Sequence, residues 1–235
     1  MNLLIRKSVN QNQEKTNDTN RMQNLHFMIG KLVISTLLIF VTSTSIKAST
    51  FDNCNPIPLE TINGIDSIFD DSEINEIKQL IYKFDSVVFT SPMQNYDQAY
   101  MSLLVSIFFH LANYDSFNWD DIMPRFDEVY NHIDSFDETP YSKLFIKRER
   151  LNDTSKVTRY YITSTNFGGY SDLVTIIASK YPDLLWYLDF LQQAGDCMGV
   201  VDCLYTFRNL NYHDEGVRLI FAVYFIVWHN IDNQL

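Results

Sequence analysis

Glycine is scarce in this chain, at 7 of 235 residues, and its scarcity excludes several kinds of fold and site. Strands that alternate apolar and polar residues are also missing, which argues against a β-rich domain. Phosphate-binding loops need closely spaced glycines before a helix, and the pair Gly168-Gly169 alone does not make one. The Asp-x-Asp-x-Asp-Gly spacing of an EF-hand calcium loop does not occur either.

Apolar runs long enough to span a membrane are also absent, since a spanning helix needs roughly 20 residues. The run at residues 32–41 has about half that length; Lys31 precedes it and small residues follow at 43–48. A basic residue, a short apolar run and small residues in this order are typical of a secretory signal peptide. We therefore expect residues 1–48 to be a signal peptide region and residues 49–235 to be exported, to the periplasm or the cell exterior.

The two ends of this signal are less well defined by the sequence. A start at Met28, or at Met22, places the apolar run at an ordinary distance from the N-terminus. Cleavage after Ser45 fits the preference for small residues, whereas cleavage after Ala48 puts the larger Ile46 at the third position back. An uncleaved anchor is the alternative.

Acidic residues outnumber basic ones, and the formal net charge is −11. Residues 1–48 hold six of the 18 basic residues and two of the 29 acidic ones, so the exported part has a formal charge of −15. A negative field of this kind repels nucleic acid and anionic lipid and speeds encounter with cationic proteins. The alternative interpretation is that the charge serves solubility alone.

Three cysteines, Cys54, Cys197 and Cys203, all fall in the expected exported part. An oxidising compartment permits disulfides. If Cys197 and Cys203 share a helix, they lie about 9 Å apart along its axis, which is too far for a disulfide. A bridge from Cys54 to one of them is then favoured, although a Cys197–Cys203 bridge stays open if Gly199 breaks the helix. One cysteine is left over in either case.

Apolar residues recur at helical spacing through most of residues 49–235. The pattern predicts an all-α fold, a single compact domain of about seven helices, with the last one from 214 to 232 at the centre of the core. The other helices are expected near residues 72–88, 96–113, 119–136, 171–178, 183–191 and 198–210.

Some boundaries carry their own signals. Ser72 is the expected N-cap of the first helix and Asn118 that of the third, while Pro124 predicts that the third begins with a separate or kinked turn. Residues 137–170 read as loop, in which 157–163 have the composition of a strand but no evident partner strand.

Several groups of polar residues have spacings that could suit a catalytic or metal site. Glu128 and His132 lie four residues apart on one helix, a spacing that suits a metal, but no third ligand is evident. The group Cys197, Cys203 and His213, with Asp214 or Asn211 beside the histidine, is a conceivable nucleophile set, although a disulfide or buried thiol fits this compartment better. The carboxylates at Asp70-Asp71, Asp120-Asp121 and Asp183 with Asp189 could resemble a glycosidase pair, but two of the three stand at expected helix starts.

No catalytic, cofactor-binding or metal-binding residue is assigned on this basis. The sequence favours a non-enzymatic protein-binding module, of the type of an inhibitor or a toxin-immunity protein, that captures a cationic protein. The alternatives are an exported hydrolase with an unfamiliar helical active site and a structural envelope protein. The expected partner contacts are acids and aromatics at two predicted helix ends: Tyr114, Asp115, Phe117, Trp119, Asp120, Asp121, Asp134, Asp137 and Glu138.

Overall fold

The computed structural model describes residues 55–92, 94–113, 118–133, 140–151, 158–164, 168–194 and 200–232. Within these ranges it contains eight α-helices and one two-stranded ribbon, so the predicted all-α fold class is confirmed. The helices are α1 (Asp71–Val88), α2 (Tyr96–Asn113), α3 (Trp119–Ile122), α4 (Phe126–His132), α5 (Gly169–Ala178), α6 (Leu184–Ala194), α7 (Val200–Phe207) and α8 (Glu215–Asp232). Short 3-10 turns lie at Leu59–Thr61, Ile65–Ser67 and Pro140–Lys143.

Helix α1 begins earlier than the sequence predicted. Its N-cap is Asp70 and not Ser72: the Asp70 carboxylate accepts hydrogen bonds from the backbone N–H groups of Ser72 and Glu73, both at 2.9 Å. Glu73 completes a capping box, because its Oε2 accepts the backbone N–H of Asp70 at 2.8 Å. Asp70 is the residue that closes both bonds, and Glu73 follows it at the three-residue spacing of a capping box.

The third predicted helix is divided in two at the proline. Helix α3 ends at Ile122 and α4 begins at Phe126, with Pro124 between them. A proline inside a helix cannot donate the backbone hydrogen bond and collides with the preceding turn, so the break follows from the sequence. The Asn118 cap is confirmed, since its side chain accepts the N–H of Asp120 at 3.1 Å.

The prediction that no strand pairs with residues 157–163 is wrong. Strand β1 (Phe145–Leu151) and strand β2 (Thr158–Ser164) form an antiparallel ribbon, with Phe145 opposite Ser164 and Leu151 opposite Thr158. The charged stretch at 147–150 does not indicate a strand in the sequence, because charged residues are depleted in strands of ordinary half-buried sheets. A two-stranded ribbon tolerates such a composition, since its ladder of backbone hydrogen bonds does not depend on it.

Helix α8 lies at the centre of the core, as its apolar run predicted. Among the residues that the structure describes, ten of its apolar and aromatic side chains are fully or almost fully buried: Val217, Leu219, Ile220, Phe221, Ala222, Val223, Tyr224, Phe225, Ile226 and Val227. Phe221 shows the packing best, because its ring contacts those of Phe84 on α1, Tyr100 on α2 and Phe207 on α7. A ring bordered by three other helices loses nearly all contact with water, so its burial stabilises the fold.

The segment that precedes α1 is bonded to the start of α8. The backbone N–H of Ile57 donates to the carbonyl of His213 at 2.8 Å, and the N–H of Glu215 donates to the carbonyl of Ile57 at 3.0 Å. Leu59 is completely buried and its N–H donates to Glu215 Oε2 at 2.8 Å. Ile57 and Leu59 are therefore joined to the start of α8 by hydrogen bonds of their backbone groups.

Among the described residues, no helix combines the length and the apolar character needed to cross a membrane. The last apolar run of the sequence forms the buried helix α8.

A close approach at Gly169 gives a testable result. A methyl group here would overlap the backbone carbonyl oxygen of Lys143. Because that carbonyl is backbone and cannot rotate away, we expect Gly169→Ala to lower the free energy of unfolding by about 1–3 kcal/mol in urea denaturation. Thr175→Ala, at an exposed position on the same helix, is the matched control and should stay within about 0.5 kcal/mol of wild type. An unchanged midpoint for Gly169→Ala would contradict the close packing.

Candidate functional site

Arg218, on the first turn of α8, is the centre of a buried ionic network, which we define as Arg218, Asp85 and Glu215. Its side chain has no exposed surface; Nε lies 3.7 Å from Asp85 Oδ1 and Nη2 lies 3.5 Å from Glu215 Oε1. The guanidinium also stacks on the ring of Tyr96, 3.8 Å from its centroid. The positive charge is thus surrounded by two carboxylates and an aromatic face.

Carboxylates balance the charge of Arg218, but its guanidinium is incompletely hydrogen-bonded within the described residues. Nη1 donates to the carbonyl of Tyr212 at 3.4 Å, while Nε and Nη2 have no hydrogen-bond partner among the described residues. A buried donor without a partner costs free energy, and the attraction of the carboxylates offsets only part of that cost.

Asp85, on α1, is the acid of the network whose charge is most strongly disfavoured. Burial raises the pKa of its carboxyl and the nearby charge of Glu215 adds to the rise, while Arg218 and the hydroxyl of Tyr100 oppose it; the net result is a pKa of about 6. That hydroxyl donates to Asp85 Oδ1 at 2.7 Å. The network therefore contains a group that titrates near neutral pH.

The other two acids at the start of α8 accept hydrogen bonds from the surrounding fold. Glu215 accepts from the backbone of Leu59 and, at 3.2 Å, from the hydroxyl of Tyr82. Asp214 accepts from Lys180 at 2.8 Å, from Tyr181 at 3.1 Å and from the N–H of Gly216 at 3.0 Å. These bonds join α8 to α1, to the segment before it and to the end of α5, which is a structural role.

A concave surface of a different kind lies between the start of α6 and the end of α7. This α6–α7 groove has a volume of about 340 Å³. Its lining is rich in aromatic and polar side chains, namely Pro182, Asp183, Trp186, Tyr205, Thr206, Arg208 and Asn209. Trp186 is 48% exposed and Tyr205 is 44% exposed. Large aromatic side chains left half in water beside one concavity are typical of a recognition surface.

The exposure of Trp186 follows from how α6 packs. Leu184, Tyr187 and Leu191 are buried and recur at helical spacing, so they form the face that meets the core. Trp186 lies outside this face, as does Leu185, which is 55% exposed. The sequence 184–188 is continuously apolar, and a surface helix with such a run must present part of it to solvent.

Two polar contacts characterise the groove. The guanidinium of Arg208 lies over the ring of Tyr205, 4.8 Å from its centroid, in a cation–π contact. Asn209 Nδ2 donates to Asp183 Oδ2 at 3.3 Å. Among the ion pairs that the described residues form, none includes Asp183.

Trp119 was expected to be a partner contact, and the structure places it in the core instead. Its side chain is 4% exposed and its ring stacks on Phe126 at 5.4 Å and meets Trp228 at 4.8 Å. The ring also contacts those of Phe225 and His229, so the first residue of α3 faces α8. Asp120 and Asp121 are exposed, as expected. The other expected contacts, Tyr114, Asp115, Phe117, Asp134, Asp137 and Glu138, lie outside the described residues.

Glu128 and His132 do not converge on a common point. Glu128 accepts from Lys83 at 3.0 Å and from Arg125 at 2.6 Å, and these bonds lower the pKa of its carboxyl to about 2, the Arg125 bond most. His132 Nε2 is 3.0 Å from the hydroxyl of Tyr141. In the part of the chain that the structure describes, no three His, Cys, Asp or Glu residues are grouped as metal ligands.

His213 faces Asp97 and not Asp214. Its Nε2 lies 3.9 Å from Asp97 Oδ2, and its ring meets that of Tyr96 edge-on. Asn211 accepts the backbone N–H of His213 rather than contacting its ring. Cys54 and Cys197 lie outside the described residues, and of Cys203 the structure describes the backbone, within α7. The disulfide stays a prediction.

The candidate carboxylate pairs take separate roles. Asp70 caps α1, and Asp120 and Asp121 occupy the first turn of α3, where acids stabilise a helix. Asp183 bonds Asn209, whereas Asp189 accepts from Gln193 at 2.7 Å one turn along α6. These contacts favour the helix-start interpretation over a glycosidase pair.

No protein-family model matches the chain, and no curated protein or solved structure matches it.

Proposed function

We propose that this chain is an exported protein-binding module that captures a cationic protein through the α6–α7 groove. An inhibitor or a toxin-immunity protein would have these properties. The observation that carries the proposal is the pair of half-exposed rings, Trp186 and Tyr205, on the walls of one concavity that also contains Arg208. Tryptophan, tyrosine and arginine are the residues that most often dominate the binding energy of protein interfaces.

The energetic reason lies in what a partner would remove from water. Each of these rings can bury roughly 150–250 Å² when it is fully covered. Both are held on helices, and Tyr205 is further restrained by the stacked guanidinium of Arg208. Because little conformational freedom would be lost on binding, most of the burial energy is available as affinity.

The sign of the charge supports a cationic partner. The formal charge of −11 draws positively charged proteins toward the surface and raises their rate of association. Exposed acids also lie on both helices of the groove: Asp183 and Asp189 on or beside α6, and Asp202 on α7. Since screening weakens such steering, association should slow as salt is raised.

The decisive experiment is capture by the full chain, expressed in its own cells with a C-terminal affinity tag and recovered in the form those cells export. We expect one basic protein to be held in stoichiometric amount and to be released as salt rises. The N-terminal residue of the recovered chain tests export: an N-terminus at residue 46 or 49 agrees with the expected cleavage points, whereas recovery of an uncleaved chain inside the cell contradicts export.

Groove variants decide whether the captured protein uses this surface. Trp186→Ala and Tyr205→Ala should each weaken binding by about 30-fold or more in calorimetry, the effect of removing an interface anchor worth about 2 kcal/mol. Phe109→Ala is the matched control, since Phe109 is an aromatic residue of α2, 55% exposed and outside the groove. Capture of an acidic partner, or equal affinity for all three variants, would refute the proposal.

A further inference from the structure

We propose that the α6 wall of the groove is a subsite for a single arginine or lysine side chain of the partner, stacked on Trp186 and neutralised by Asp183. The inference rests on the proposed function, because it names the group that the groove would take from a cationic protein. It commits the partner to a segment that presents a guanidinium or ammonium group.

On the opposite wall of the groove, a cation of the chain itself already lies over an aromatic ring. On α7, the guanidinium of Arg208 lies 4.8 Å from the centre of the Tyr205 ring. A cation over an aromatic face is attracted by the negative charge density of the ring, and the attraction grows when water is excluded. Of the two aromatic rings that line the groove, Tyr205 therefore already has a cation, Arg208, over its face.

The α6 wall has the aromatic ring without a cation. Indole is the strongest of the aromatic rings toward a cation, and Trp186 remains 48% exposed. The ring contact it makes is with Phe190, one turn along, at 6.2 Å between centroids. None of the cation–π contacts among the described residues involves Trp186.

Asp183 supplies the counter-charge at the same place. It lies three residues before Trp186, at the start of α6, and the two side chains line the same concavity. Its polar contact is the 3.3 Å bond from the uncharged amide of Asn209, and it belongs to none of the ion pairs of the described chain. An arginine or lysine side chain lying on Trp186 would meet a carboxylate that still lacks a positive partner.

The two walls together define the recognised segment. Arg208 lies over the ring of Tyr205, so the aromatic face of the groove that a partner's cation could cover is that of Trp186, beside Asp183. Asp189, exposed one turn beyond Trp186, extends the acidic side of this wall. A segment that alternates basic and apolar residues fits, since its apolar side chains would cover Leu185 and the rim.

The test uses the full chain, with its indole N–H groups labelled with ¹⁵N, and two short peptides as probes. One alternates leucine and arginine; the other has citrulline, a neutral group of the same shape, in place of each arginine. We expect the arginine peptide to shift the Trp186 indole signal in a saturable way, with the citrulline peptide binding about 10-fold more weakly. The signal is assigned with Trp186→Phe, which distinguishes it from Trp119 and Trp228.

Two variants distinguish binding at the subsite from attraction of the peptide by the overall negative charge of the protein. Asp183→Asn should weaken binding of the arginine peptide several-fold and leave binding of the citrulline peptide unchanged. Asp172→Asn removes the same charge from an exposed position at the start of α5, and should alter neither. Equal binding of both peptides, or equal effects of the two variants, would overturn the subsite.

The outcome also distinguishes this inference from the proposed function. If the partner is lost with Trp186→Ala while the arginine peptide leaves the Trp186 signal unmoved, the groove is the binding surface but the cation subsite is refuted. If the arginine peptide binds as expected while the captured partner is indifferent to Trp186→Ala, the subsite stands and the proposed function falls.

Discussion

Replacing Arg218 by methionine is expected to lower the free energy of unfolding by about 3–5 kcal/mol at pH 7.5, the usual cost of removing one partner from a buried ion pair. The side chain is fully buried, so methionine keeps most of its volume and its contacts with Tyr96. What is lost is the positive charge that lies between Asp85 and Glu215. Lys78, whose Nζ lies 3.7 Å from Glu215 Oε2, still balances Glu215, so Asp85 is the acid that loses its cation.

Urea denaturation followed by circular dichroism measures this effect, provided the slope of the transition is unchanged. Arg125→Met is the matched control: its side chain is 57% exposed and pairs with Glu128 at the surface. Exposed pairs contribute between about 0 and 1 kcal/mol, so this control should stay in that range. If Arg218→Met lowered the free energy of unfolding as little as Arg125→Met does, the network would not contribute to stability as its burial implies.

The double variant Arg218→Met/Asp85→Asn sharpens the result. With Asp85 neutral, less unpaired charge remains in the core, so the second change should recover part of the stability lost in the first. The interaction energy of the two residues should reach about 0.5–3 kcal/mol in a double-mutant cycle. Strict additivity would mean that Arg218 acts through Glu215 and Tyr96 alone.

The second large effect is a dependence of stability on pH that originates at Asp85. Its pKa in the folded protein is about 6, above its ordinary value of 3.8. The folded state therefore holds a proton that the unfolded state releases, and the resulting stabilisation is complete below pH 3.8 and lost as pH rises through 6. The full difference corresponds to about 3 kcal/mol, of which about 2 kcal/mol falls between pH 4.5 and pH 7.5.

Comparison with Asp85→Asn isolates this contribution. Asparagine stays neutral, so the stability of the variant relative to wild type should increase by about 2 kcal/mol from pH 4.5 to pH 7.5. The groups that face Asp85 are Tyr100 from α2 and Arg218 and Glu215 from α8. Tyr100, whose pKa is raised well above its ordinary value by burial, does not titrate in this range. Parallel curves for the two proteins would show that Asp85 is ionised throughout.

Local features of the fold were predictable from the sequence. The apolar spacing located α2 and α8 closely, and Asn118 and Pro124 marked a cap and a break that the structure contains. These signals depend on backbone chemistry within a few residues, so no knowledge of the rest of the chain is needed to interpret them. The pairing of β1 with β2 was not predictable in this way, because pairing is a property of two segments and the charged composition of one concealed it.

In the candidate site, too, the local sequence was not enough to predict which side chains are exposed. Trp119, with its acidic neighbours, was predicted to contact a partner and proves to be buried, whereas Trp186 is exposed. Both tryptophans stand near helix starts beside aspartates, so nothing local separates them. Tertiary packing does, since α3 directs its first residue at α8 while α6 directs Leu184 and Tyr187 inward.

By itself the sequence determined the helical class, the excess of acidic residues and the identity of the central helix, because periodicity and charge are summed along the chain. The tertiary structure alone decided that Arg218 is buried between Asp85 and Glu215 and that Trp186 and Tyr205 share a groove. Asp85 and Arg218 are far apart in sequence, and the two rings lie on different helices. Only the packing of the helices against one another sets which charges are removed from water and which aromatic faces stay exposed to it.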